Sequence, residues 1–136
     1  MRAIRDRLGK QPVSTDWSRL GLAAFFVVGG TLHFVFAPAY VRIIPPWLPD
    51  PHDLVMISGL CEIAGGLLVL HRRLRPVAGW GLIALAVAVW PANLQMFVNA
   101  HTTHAPAWAQ LLLFLRLPLQ VLIIWWIWSA TRRDAR

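Results

Sequence analysis

Four apolar stretches dominate this chain, at residues 20–36, 54–70, 77–97 and 111–129, each near the length that crosses a bilayer. A helix needs roughly 20 mostly apolar residues to span the hydrocarbon core. In lipid only helices and closed barrels satisfy their own backbone polar groups. Runs of this length and composition therefore predict helices. The expected fold class is all-α: an integral membrane, antiparallel four-helix bundle.

The charges lie between the stretches. Only 14% of the residues are charged against 57% apolar. Lys and Arg crowd residues 1–19 (Arg2, Arg5, Arg7, Lys10, Arg19), one short connection (Arg72, Arg73, Arg75) and residues 130–136 (Arg132, Arg133, Arg136). The loop 37–53 holds only Arg42, with Asp50 and Asp53, and the loop 99–110 holds neither Lys nor Arg. Cytoplasmic loops carry the Lys/Arg excess, so both termini are expected in the cytoplasm and the two sparsely charged loops outside. Three segments follow: a basic cytoplasmic N-terminal segment (1–19), a transmembrane domain (20–129) and a basic cytoplasmic tail (130–136). A net charge of +7 could attract nucleic acid, but the basic clusters flank apolar spans rather than forming one soluble face, so no nucleic-acid partner is expected. The first span is too long for a signal peptide, and Thr31, Leu32 and His33 do not resemble a small-residue cleavage site. Trp17, Trp47, Trp80, Trp108, Trp125, Trp126 and Trp128 fall near span ends, where amphipathic rings sit at the bilayer interface.

Each span also carries a strongly polar side chain: His33, Glu62, Asn93 and Arg116. With alternating helix direction, all four fall in the outer half of the bilayer and form one polar layer. Glu62 stands alone in "SGLCEIAGG", and a charge held in hydrocarbon must be offset by a partner. Residues three and four apart share a helix face. The face of Glu62 includes Ser58, Gly59, Gly65 and Gly66, and that of His33 includes Gly29 and Gly30. Small residues let membrane helices approach closely, so the first two spans are expected to pack through facing pairs Gly29/Gly30 and Gly65/Gly66, with the first helix running past Phe36. Arg116 and Gln120 share a face around Pro118, which frees the Phe114 carbonyl, and Pro91 frees that of Val87. The expected arrangement pairs Glu62 with Arg116, with His33 and Asn93 completing the network. Its plain alternative is an ion pair that only locks the helices together.

The loop "FAPAYVRIIPPWLPDPHDL" is stiffened by five prolines and too apolar for a free linker, so it is expected to fold over the mouth of the bundle or anchor at the interface. His101 and His104, with His52, lack a carboxylate or thiol companion and read as solvated loop histidines; no metal site is expected. One cysteine, Cys61, cannot run dithiol chemistry alone. The sequence shows no phosphate-cradling loop, no Ser-His-Asp order and no paired carboxylates.

The stretches "GGTLHFVFAPAYVRIIPPWLPDPHDLVMISGLCEIAGGLLVL", "RPVAGWGLIALAVAVWPANLQMF" and "LRLPLQVLIIWW" resemble the DoxX-like family of small bacterial membrane proteins, over nearly the whole chain from Leu20 to Trp128. The resemblance implies a four-helix inner-membrane bundle. The family takes its name from a subunit of a thiosulfate:quinone oxidoreductase, which implies a possible redox partner protein but transfers no catalytic residue here.

Together these readings predict an accessory membrane module whose polar layer binds a small amphipathic or lipid-soluble molecule, quinone-like in character. Arg116 would donate hydrogen bonds, Glu62 and His33 would exchange protons, Asn93 and Gln120 would complete the polar wall, and Trp90 and Trp47 would form apolar walls. The alternatives are a subunit of a membrane oxidoreductase acting through a partner, and a ligand-free scaffold. The sequence leaves a homo-oligomer, the identity of any cofactor and any catalytic activity open.

Overall fold

The computed structural model describes residues 13–132, with side chains from Trp17 onward. Arg2, Arg5, Arg7, Lys10, Arg133 and Arg136, on which the reading of the basic ends partly rests, lie outside the described residues. Every regular element among the described residues is helical: α1 (Val13–Val35), α2 (Ala37–Arg42), α3 (Pro51–Leu68), α4 (Arg75–Ala88), α5 (Trp90–Thr102) and α6 (Ala107–Arg132).

Three stretches are long and apolar enough to cross a membrane: Trp17–Val35, Arg75–Thr102 and Ala107–Arg132. Their apolar surface faces outward. Only 11% of the most apolar window of Ala107–Arg132 is buried within the chain, and 17% of that of Arg75–Thr102. Apolar faces of this extent do not stay in water, so these are the helices of a membrane protein. The fourth expected span corresponds to α3, which is not among the three. It is 18 residues long, opens on Pro51, His52 and Asp53, and carries Glu62. Those polar residues lower its mean hydropathy, and its glycines give packing rather than apolar area.

Prolines set the boundaries. Pro38 sits in the first turn of α2, Pro51 opens α3 and Pro91 lies in the first turn of α5, positions where a missing N–H costs nothing. The third apolar stretch is therefore two helices that meet at Val89. The first helix does not run past Phe36 as expected. It ends at Val35, and the chain resumes as α2 after Phe36, whose backbone (φ −113, ψ 34) is not helical. Asp50, between Pro49 and Pro51, turns the chain into α3 with a left-handed backbone (φ 47), a conformation that Asp tolerates better than most residues.

Packing is uneven along the helices. Leu22, Phe26, Val69, Ala78, Leu82, Ile127 and Ala130 form the buried core, with Ile83, Ile123 and Trp126 against it. Apart from Phe26, these are early residues of α1 and α4, late residues of α6 and the exit of α3, so the core gathers at one end. The same end is tied by polar contacts. Arg19 Nε donates to Ala130 O (3.0 Å), Arg75 Nε to Val69 O (2.8 Å) and Trp126 Nε1 to Ser18 Oγ (2.9 Å). Cations at the exposed carbonyls of helix C-termini are favoured by the helix dipole. The Arg132 guanidinium lies over the Trp80 and Trp128 rings, 4.5 and 4.2 Å from their centroids.

The α1–α3 contact is close, but the glycines do not meet as expected. A methyl group at Gly30 would lie 2.5 Å from Gly59 O, and one at Gly59 would lie 2.8 Å from His33 Cβ. Gly66 faces Phe26 and Ala23 of α1, whereas Gly65 faces Leu82 of α4. Adjacent residues on a helix point about 100° apart, so one Gly-Gly pair serves two neighbours at once.

Candidate functional site

Beyond the core, and sharing Phe26 and Ile123 with it, the helices surround a cavity of about 260 Å³. Phe25, Phe26, Gly29 and His33 of α1 line it, with Val55, Ser58 and Glu62 of α3, Leu85 and Ala86 of α4, Ala92 and Asn93 of α5, and Arg116, Leu119, Gln120 and Ile123 of α6. Val89, at the break, also faces it. Tyr40 of α2, with Ile43 and Ile44 beyond, closes one side. The walls are apolar apart from the cluster His33, Tyr40, Ser58, Glu62, Asn93, Arg116 and Gln120.

Two side chains stabilise the opening between α4 and α5. Gln120 Nε2 donates to Ala86 O (3.0 Å), and Asn93 Nδ2 donates to Gln120 Oε1 (3.3 Å). Both residues are buried. A buried carbonyl left unpaired costs about 1–3 kcal/mol. The carbonyl that needed a side chain is thus Ala86, one residue before the expected Val87, and the donor comes from α6 rather than from Asn93.

Glu62 does not pair with Arg116. No ion pair within 4 Å joins these two residues; the basic group beside Glu62 is His33, whose Nδ1 lies 3.4 Å from Glu62 Oε2. Both side chains are largely buried, at 12% and 14% exposure. His33 Nδ1 is also 2.8 Å from Gly29 O. A carbonyl can only accept, so that nitrogen carries the proton and directs it mainly at Gly29. Glu62 Oε2 is left buried without a hydrogen-bond partner. Arg116 reaches the other way, its Nη1 3.7 Å from Met96 Sδ on α5. Both residues line the cavity without forming the expected pair.

Tyr40 is the part of the site that sequence reasoning missed. Its ring stacks on His33 with centroids 4.2 Å apart and planes inclined by 29°. Burial first, and the Glu62 carboxylate second, push the Tyr40 phenol above its usual range, with Arg116 pulling the other way. The phenol therefore stays protonated. The signal was its position, seven residues after His33 and within a loop already expected to cover the mouth.

Trp90 and Trp47, expected as apolar walls, do not line the cavity. Both point outward, at 48% and 71% exposure. Phe25 and Phe26 of α1, Leu85 of α4, and Leu119 and Ile123 of α6 form the walls instead. Cys61 is exposed beside Glu62. His101 Nδ1 lies 3.1 Å from Gln110 Oε1 across the α5–α6 turn, and His52 lies 3.7 Å from Asp53. Among the described residues no three His, Cys, Asp or Glu side chains gather as a metal site.

No curated protein and no solved structure matches the chain. The family described as "Domain of unknown function (DUF8561)" matches residues 22–131, which contain every residue lining the cavity. The chain belongs to that family.

Proposed function

We propose that this is a multi-pass protein of the bacterial inner membrane, a four-helix bundle with cytoplasmic termini, whose cavity binds a small amphipathic or lipid-soluble molecule as an accessory module. The observation that carries the reading is the cavity itself. It combines apolar walls with a few convergent polar groups, the usual composition of a small-molecule site, and one of those groups, Glu62, has a buried oxygen with no partner. A volume of about 260 Å³ lies just below the range of about 300–1,000 Å³ common for such sites. It suits a ring-sized, quinone-like head whose tail leaves into the lipid. Arg116 and Leu119 support this, because both line the cavity and are also exposed. The DoxX-like resemblance implies the same membrane architecture.

The test is extraction of the protein with its surrounding lipid in polymer-bounded particles, followed by mass spectrometry of the organic extract. A lipid-soluble compound should be enriched over bulk membrane, and lost when the cavity is filled by Ala92→Phe. Identical extracts from the parent and a folded Ala92→Phe variant would sink the proposal. A protein-bound chromophore in the extract would favour a subunit that passes electrons to a partner.

A further inference from the structure

We infer that the cavity selects molecules whose polar head presents a hydroxyl donor: a phenol or hydroquinone rather than a fully oxidised quinone or a fatty acid. The inference rests on the ligand-binding reading above and specifies its ligand class.

The polar groups around the cavity divide by what they still need. Asn93 and Gln120 are engaged with each other and with Ala86 O, so their main capacity is spent on the helix break. His33 Nδ1 is committed to Gly29 O. Two groups remain. Glu62 makes no hydrogen bond among the described residues, and its Oε2 is buried without a partner. Arg116 makes one weak contact, to the Met96 sulfur, and keeps most of its five donors. In its ionised form the carboxylate only accepts, and the guanidinium only donates. Both line the same space without touching each other.

A head that satisfies both must donate at one end and accept at the other. A hydroquinone or an alkoxyphenol does so, with one hydroxyl to Glu62 and the other oxygen to Arg116. A quinone offers acceptors at both ends, so one carbonyl would face the Glu62 carboxylate with no proton between them. A fatty-acid carboxylate would suit Arg116 but repel Glu62. The apolar walls from Phe26, Leu85 and Ile123 accept the ring in each case, so the discrimination comes from the donor. Sites built to hydrogen-bond a hydroxyl reject analogues that lack it, because the buried polar group is then left unpaired.

The test uses a pair of nearly equal size, 4-hexyloxyphenol and 1-fluoro-4-hexyloxybenzene, titrated calorimetrically into the full-length protein in lipid nanodiscs, with empty nanodiscs as the partition blank. The phenol should bind at least about tenfold tighter, as expected for a hydrogen bond to a charged group. In Glu62→Met the two Kd values should converge to within about twofold, mainly through weaker binding of the phenol. Equal affinities in the parent protein would overturn this inference while leaving a ligand site in place. Binding of neither probe would overturn the ligand site as well. A tenfold preference that persists in Glu62→Met would assign the acceptor to another group and reject the role given to Glu62.

Discussion

Glu62 has two basic residues within electrostatic reach, and the nearer one is His33. The carboxylate and the imidazole approach to 3.4 Å on the tightly packed α1–α3 interface, whereas Arg116 lines the same cavity without forming the pair. Residues that share one polar network show coupling of about 0.5–3 kcal/mol in double-mutant cycles, and separated ones add nearly independently. A cycle of His33→Gln and Glu62→Gln, read by unfolding in mixed micelles, should therefore show clear non-additivity. The corresponding cycle of Glu62→Gln with Arg116→Met should be closer to additive. A larger coupling in the Arg116 cycle would restore the ion pair that the spacing of the sequence suggested. The rank order is informative because both cycles share the Glu62 change.

At the scale of elements, glycine positions separate close approach from mere helix content. A side chain at Gly30 would strike the Gly59 backbone, which cannot swing aside as a flexible side chain can. Gly30→Ala should force α1 and α3 apart and cost about 1–3 kcal/mol through overpacking. Gly81 offers the contrast, because nothing lies within 4 Å of a methyl group placed there. Gly81→Ala should be neutral or stabilising, by up to about 1 kcal/mol from helix propensity alone. Equal melting behaviour of the two variants would show that α1 and α3 are not in contact at Gly30. Prolines act at the same scale. Pro91 opens the α4–α5 break and Pro118 loosens α6 from within, both at the level of the cavity and away from the packed core.

For the whole molecule, the two ends differ in kind. The end with Arg19, Arg75 and Arg132 is packed, basic and braced by Trp80, Trp126 and Trp128. The other end is open around the cavity and covered by α2. The proposed orientation places the basic end in the cytoplasm, following the Lys/Arg bias. In a Cys61→Ser background, a membrane-impermeant thiol reagent applied from outside should label Thr103→Cys, beyond α5, and spare Leu74→Cys, at the entry to α4. The reverse pattern would invert the topology. Labelling at both positions would remove the membrane crossing between them.

The sequence by itself determined the helical class and the membrane setting, because these depend on local composition. Long apolar runs bury their own backbone bonds only as helices, and prolines end helices wherever their missing N–H would be needed. It also singled out the five polar residues His33, Glu62, Asn93, Arg116 and Gln120 that share the cavity, since charge or amide groups within apolar runs stand out without any coordinates. Pairing was not legible in the same way. Helical periodicity tells which residues share a face, but not the offset and rotation between two faces, and a shift of one residue turns a side chain by about 100°. Gly30 therefore met Gly59 rather than Gly65 or Gly66, His33 rather than Arg116 came to rest beside Glu62, and Trp90 turned outward. The placement of Tyr40 over His33 needed the chain to bend at Phe36 and fold back through a proline-rich loop. That path is set by packing between distant segments, and only the tertiary structure could decide it.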